Sequence, residues 1–199
     1  MLSPEIIPEL SDEEIVVRTL HDRSCFEVIV ERFEAKLTRY LRRLGVHIHE
    51  DRQDLIQEIF IKVYKNLNGF DKNLSFSSWI YRIAHNEVIS WYRKKSVRPE
   101  GHMLGESDEL FLFIPDTNPN AEQLVDSIID AKLLHTALNQ LEPKYRNPII
   151  LRFFEYKEYD EISDILKIPI GTVGTLISRG KKKLQAIIIQ SDQTDTPPL

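Results

Sequence analysis

The sequence predicts an all-α protein, built as two small helical domains joined by a flexible linker, with a helix-turn-helix in the second. Three observations predict it. Only 7 glycines occur in 199 residues, and Leu, Ile, Glu and Lys dominate, a composition that favours helix over a turn-rich β fold. Apolar residues recur at spacings of three and four over two long stretches, the signature of helices with one buried face. Between those stretches, residues 96–120 (SVRPEGHMLGESDELFLFIPDTNPN) hold three prolines, two glycines and scattered acids with no sustained period, which is linker composition.

The first helix starts after Ser11, which with Glu14 has the spacing of a capping box. The next covers Cys25–Leu44, where Phe26, Ile29, Val30, Phe33, Leu37, Tyr40, Leu41 and Leu44 make one apolar stripe and Gly45 supplies the stop. A third spans Asp51–Leu67, with Leu55, Ile56, Ile59, Phe60, Val63, Tyr64 and Leu67 inward. Asn68-Gly69 signals a turn. A fourth runs from Ser75 to about Lys95 and buries Phe76, Trp79, Ile80, Ile83, Ala84, Val88 and Ile89.

After the linker, helical pattern returns over Ala121–Leu141 and again over Pro143–Phe154. Pro143 suits a first turn, whereas Pro148 should bend that helix or push its start later. Two short helices, Tyr159–Leu166 and Ile170–Gln185, follow the polar turn Glu155–Lys157. The domains expected are therefore 1–95 and 121–187, with 188–199 a polar, disordered tail. The run Leu110–Ile114 is too short to assign.

The net charge of −5 conceals a segregation. Acids crowd positions 5–58 and the linker. From Ile165 to Ser191 no carboxylate occurs, while Lys167, Arg179, Lys181, Lys182 and Lys183 fall in that stretch; Arg93, Lys94, Lys95 and Arg98 close the first half. Local charge decides whether a face attracts phosphate.

The segment EYDEISDILKIPIGTVGTLISRGKKKL carries the strongest signal. Ile162, Ile165 and Leu166 face inward on its first helix. Lys167-Ile168-Pro169 cannot continue that helix, because Pro lacks the N–H and disfavours helical geometry before it. Val173, Leu176, Ile177 and Leu184 face inward on the second. A short helix, a tight turn and a basic second helix make a helix-turn-helix, whose second helix fits the major groove. Its outward residues Thr172, Thr175, Ser178 and Arg179 would meet base edges, with Lys182 on phosphate.

The second signal is DRQDLIQEIFIKVYKNLNGFDKNLSFSSWIYRIAHNEVISWYRKK. Its first helix presents Asp51, Asp54, Gln57, Glu58 and Lys62 outward, with Asp54 and Glu58 four apart on one face. Its second carries Trp79, Tyr81, Arg82, Asn86, Trp91, Tyr92 and Arg93. Aromatics interleaved with cations suit unstacked single-stranded bases. An acidic face for a basic protein partner thus lies beside an aromatic-basic face for melted DNA.

The motif D-x-x-Q-E-x-F, followed by F-x-x-W-I-Y-R-I-A-x-N, resembles the second conserved region of extracytoplasmic-function sigma factors, and P-x-G-T-V…R…K-K-L resembles their fourth. The two occur in the family's order and cover roughly residues 11–95 and 121–187. The resemblance implies that Asp54, Gln57, Glu58 and Lys62 bind the basic clamp-helix coiled coil of core RNA polymerase. It implies that the loop Phe70–Phe76, with Asn73, Ser75 and Phe76, captures a flipped base of the minus-ten promoter element, helped by Trp79, Arg82, Asn86, Tyr92 and Arg93. The helix from Gly171 would read the minus-thirty-five element, the linker would thread through the polymerase, and an anti-sigma factor would clamp the domains together. Family members carry basic residues where this chain has Gly174 and Leu176, which implies weaker or altered upstream recognition.

Other function classes fit less well. A one-component regulator with a helical sensor domain leaves the aromatic-basic segment at 76–95 unexplained, and no ligand-pocket motif for a small-molecule substrate occurs. Against an enzyme, there is no Gly-rich phosphate loop and no nucleophile motif. His47, His49, Glu50, Asp51 and Asp54 read as a solvated turn leading into a helix, so no metal or other cofactor is expected. Cys25 stands alone and reads as packing. No apolar run approaches the roughly 18–20 residues needed to span a bilayer, and the acidic start MLSPEIIPELSDEE lacks a signal-peptide pattern. The expected location is the cytoplasm.

Overall fold

The computed structural model describes residues 10–71, 74–97, 134 and 136–194. Among these every regular element is helical: α1 (Asp12–His21), α2 (Phe26–Arg43), α3 (His49–Asn66), α4 (Phe76–Val97), α5 (Pro143–Phe153), α6 (Tyr159–Leu166) and α7 (Ile170–Thr194). Short 3-10 turns at Arg23–Cys25 and Leu67–Gly69 tighten two of the connections.

The capping box at α1 forms as its spacing requires: the Ser11 N–H donates to Glu14 Oε2 at 2.8 Å, and the Glu14 N–H donates to Ser11 Oγ at 3.1 Å. The α2 stripe is buried, with Leu37, Tyr40 and Leu41 fully enclosed. It meets Leu55, Ile59 and Val63 from α3 and Phe76, Ile80 and Ala84 from α4. Each such aliphatic side chain contributes about 1.5–3 kcal/mol when removed from water. Gly45 stops α2 at φ +103°, and a Cβ there would stand 2.5 Å from the Tyr92 hydroxyl. Both the backbone and the close approach demand glycine.

In the C-terminal half, α5 and α7 cross closely at Gly180, where a Cβ would lie 2.7 Å from Ile149 Cδ1 and 3.3 Å from the Tyr145 carbonyl oxygen. A second apolar cluster of Leu138, Leu141, Tyr145 and Ile149 lies here, with Leu176, Leu184 and Ile187 against it. The main core does not stop at the linker, however. Ile150, Leu151, Ile162, Ile165, Val173 and Ile177 belong to the same continuous cluster as α1–α4, and α6 lies along α4.

Several expectations need correction. Of the two outcomes expected for Pro148, the later start is excluded, since α5 begins at Pro143 with Pro148 buried inside it; a proline there forfeits one backbone bond. The tail expected from residue 188 is helical through Thr194, because α7 continues over the apolar run Ile187–Ile189. Tyr64 is 38% exposed, its ring meeting Phe26 edge-on at 5.0 Å. The polar turn Glu155–Lys157 buries Lys157 and the Glu155 carboxylate. The run Leu110–Ile114 and most of Ala121–Leu141 lie outside the described residues; 136–140 are helical.

Candidate nucleic-acid interface

The acidic face stands on α3. Its apolar stripe fixes the roll of the helix, so Asp54, Gln57 and Glu58 are exposed together. Lys62 on the same face bonds back to Glu87 of α4, Nζ to Oε1 at 2.5 Å, and Asp51 accepts from Lys95 at 2.7 Å. Between α3 and α4 runs an open groove of about 680 Å³, with Asp54 and Glu58 on one wall and Trp91, Lys94 and Lys95 on the other. Lys95 Nζ sits 4.3 Å from the Trp91 ring centroid.

The aromatic-basic face is α4 with the loop before it. Phe70, Phe76 and Trp79 form a ring cluster with centroids 5.3–5.6 Å apart, and Phe33 meets Phe76 at 5.6 Å. Phe76 is fully buried and Phe70 nearly so, whereas Trp79 is half-buried. The two phenylalanines, expected to touch DNA, therefore serve as the floor on which Trp79 rests. Ser75 caps α4, its Oγ accepting the Ser78 N–H at 3.2 Å, while Glu13 of α1 accepts the Phe76 N–H at 2.9 Å. Asn86 and Arg93 are exposed. Of the adjacent pair, Trp91 is half-buried and Tyr92 is the more exposed, with its hydroxyl donating to the Leu44 carbonyl at 3.1 Å. Asn73 lies outside the described residues. Beneath this face His85 is buried with Nδ1 at 3.1 Å from the Tyr40 hydroxyl, and burial lowers its pKa from 6.5 to about 4.

The duplex-reading face is built by α6 and α7. Lys167 takes the left-handed conformation (φ 56°, ψ 46°) and ends α6, and the Ser163 hydroxyl donates to the Ile168 carbonyl at 2.6 Å to lock the turn. Burial of Val173 and Ile177 sets the roll of α7, leaving Thr172, Thr175, Ser178, Arg179 and Lys182 exposed together. Lys183 turns away to Glu142 at 3.1 Å. Leu176 packs on the second apolar cluster and Gly174 sits against Tyr159, its notional Cβ 3.5 Å from Cε2. The Leu176 departure is thus a packing choice.

The sequence leaves open whether the two halves touch, and in the structure they do. Asp164 accepts from Arg82 at 2.6 Å, and Glu155 accepts from both Arg43 and the Tyr81 hydroxyl at 2.7 Å. Glu161 caps α6 through Oε2, which takes the Glu158 N–H at 2.9 Å. Its Oε1 receives the Ser78 hydroxyl at 2.7 Å and Lys157 at 3.2 Å, and Ser75 at 3.4 Å. Burial alone would push the Glu161 carboxyl up, but these donors hold it below the usual value. Lys157 also donates to Ser77 at 2.6 Å, and Arg146 of α5 donates to the Leu44 carbonyl at 3.0 Å, beside Tyr92.

Comparison with known proteins gives the family. A model for sigma-70 region 2 matches residues 29–98, and one for sigma-70 region 4 matches residues 131–184. The chain is 34% identical over 169 residues to the extracytoplasmic-function sigma factor SigW of Bacillus subtilis, covering 82% of this chain and 89% of that one. It is 27% identical over 186 residues to the sigma-E factor of Haemophilus influenzae, covering 89% and 95%. Among solved structures, the sigma factor RpoE of Bartonella quintana, in complex with the anti-sigma factor NepR, shares the fold at a TM-score of 0.64 and 22% identity, covering 82% and 96%. This chain belongs to the extracytoplasmic-function sigma factors of RNA polymerase.

Proposed function

We propose that the chain is the promoter-specificity subunit of RNA polymerase, with residues 1–95 acting as region 2 and 121–187 as region 4. The observation that carries the division of labour is the presence of three faces of different chemistry in one chain. The α3 face of Asp54, Gln57, Glu58 and Lys62 offers carboxylates to a basic coiled coil on the core enzyme. The α4 face offers Trp79, Arg82, Asn86, Tyr92 and Arg93 to a melted strand, with Ser75, Phe76 and Phe70 shaping its edge and Asn73 in the adjoining loop. The α7 face offers hydroxyls, Arg179 and Lys182 to the major groove of upstream duplex.

On this reading the chain catalyses nothing. It acts in the cytoplasm by docking on core polymerase, holding region 4 on duplex DNA and capturing bases as the strands part. RNA synthesis and its metal ions belong to the polymerase. An anti-sigma factor is the expected regulator. The linker, residues 96–120, would run through the enzyme between the two sites.

The test is promoter-directed transcription with sigma-free core polymerase from the same organism on genomic fragments. Discrete run-off products that vanish in the Asp54→Lys, Glu58→Lys variant are expected. Duplex retardation by the chain alone, with neither core binding nor transcripts, would favour a one-component regulator instead.

A further inference from the structure

We propose that the head of α7 selects thymine, with the Tyr159 ring and Ile170 forming an apolar socket for its 5-methyl group where Gly174 leaves the ring uncovered. The proposal rests on the reading of α7 above and names the base that one part of that face takes.

The chemistry of the first turns of α7 narrows the choice. Residues 168–178 contain no Lys, Arg, Asp, Glu, Asn or Gln. The pairings that read guanine through a cation, adenine through an amide or cytosine through a carboxylate are therefore unavailable before Arg179. Hydroxyls remain, but these pair with several bases, and that of Thr175 already donates to the Gly171 carbonyl at 3.1 Å. The one apolar mark on a major-groove edge is the thymine methyl, and an apolar surface is what recognises it.

The geometry supplies such a surface. With Val173 and Ile177 buried, Gly174 falls on the flank of the exposed face that borders α6. A Cβ there would meet Tyr159 Cε2 at 3.5 Å, so a longer side chain would lie across the ring and glycine leaves it open. Tyr159 is 39% exposed, and Ile170, one turn before Gly174 on the same flank, is 55% exposed. The ring is also held in place. Arg152 Cζ lies 5.5 Å from its centroid, and Arg152 Nη1 is fixed in turn by Glu158 at 2.7 Å and by the Lys157 carbonyl at 3.0 Å. That pairing keeps the nearest cation on the ring and away from the bases. At Gly171 a Cβ meets nothing within 4 Å, so the socket is confined to Gly174.

The probe is deoxyuridine, which differs from thymidine only in lacking the 5-methyl group. The full chain, assembled with core polymerase from the same organism, is bound to a promoter fragment that yields a run-off product. Each thymidine of the upstream element, on either strand, is replaced in turn and affinity is read by competition. At one position the replacement should weaken binding about fourfold, the worth of one buried methyl. Tyr159→Ala should bring that ratio to about one at that position alone, while Tyr159→Phe should keep it. Gly174→Arg, which covers the ring, should abolish it as well, and serves where Tyr159→Ala does not fold.

A scan with no methyl-sensitive thymidine would overturn the proposal. So would a sensitivity that survives in either folded variant, or a Tyr159→Ala chain that loses it at every thymidine alike. A fragment that is transcribed yet bound equally well with its upstream element scrambled would instead strike the reading of α7, and the socket would fall with it.

Discussion

Replacing each glycine of α7 by alanine tests whether the reading helix is seated by close contact at one point. In a helix interior, Gly→Ala gains about 0.8–1.0 kcal/mol of propensity, so three substitutions on one helix should share a sign unless packing intervenes. At Gly171 an added Cβ meets nothing within 4 Å, and at Gly174 it meets Tyr159 Cε2 at an ordinary 3.5 Å. Both variants should hold or gain stability, Gly174→Ala by up to ~1 kcal/mol and Gly171→Ala, in the first turn, by a few tenths. Gly180 differs. Its Cβ would stand 2.7 Å from Ile149 Cδ1, 3.2 Å from Tyr145 Cβ and 3.3 Å from the Tyr145 carbonyl oxygen. The methyl belongs to a buried side chain with no free direction, and the Tyr145 atoms are backbone or next to it, so α5 and α7 must separate. Overpacking costs about 1–3 kcal/mol; less the propensity gain of about 0.8–1.0 kcal/mol, Gly180→Ala should lose up to about 2 kcal/mol, where its neighbours gain. Urea titrations followed by circular dichroism at 222 nm would read all three. A Gly180→Ala chain as stable as the parent, or a Gly174→Ala chain losing as much, would refute the argument that one glycine sets the α5–α7 approach.

Stability should also depend on pH through His85. Burial lowers its pKa from 6.5 to about 4, so between those values the unfolded chain binds a proton that the folded chain refuses. Stability is then greatest above neutrality and falls with pH; between pH 7.5 and 5.5 this group alone should cost about 1.3 kcal/mol. His85→Gln should flatten that slope in urea titrations at the two pH values. Gly45→Ala should lose at least about 2 kcal/mol in thermal melts, since φ +103° strains any side chain and the new methyl displaces the Tyr92 hydroxyl. Gly174→Arg should tighten binding to upstream duplex and steepen the dependence of log K on log salt by ~0.9, the equivalent of one phosphate contact. Unchanged affinity across a salt titration would count against it.

Legibility in the sequence followed the range of the interactions. The helices α1 to α4 and the helix-turn-helix are written in local periodicity and caps: Ser11 with Glu14, the stripe Phe33–Leu37–Tyr40, and the stop at Lys167-Ile168-Pro169 all appear where the pattern puts them. Exposure of Asp54 and Glu58 follows from the same periodicity, because burying Leu55 and Ile59 leaves their neighbours outside. What the pattern could not distinguish was an aromatic that touches DNA from one that supports it. Phe76 and Trp79 are three residues apart on one helix, yet the first is fully enclosed among Phe33, Phe70 and Trp79 while the second is half-exposed. Contacts that span the linker carry no local signal at all. Arg82 and Asp164 are 82 positions apart, and a polar turn such as Glu155–Lys157 shows no sign of its partners on α4.

The charge distribution has a physical consequence for the response to salt. Asp54 and Glu58 of α3 are exposed, Glu161 and Asp164 of α6 meet donors of α4, and no carboxylate occurs from Ile165 to Ser191. Salt screens exposed charges much more than partly buried ones. The Glu155 carboxylate is 5% exposed, and the Arg82 and Asp164 side chains 22% and 33%, so their pairing should resist ionic strengths that already weaken phosphate contacts at the open α7 face. Raising salt should then weaken phosphate contacts at the exposed α7 cations before it separates α6 from α4.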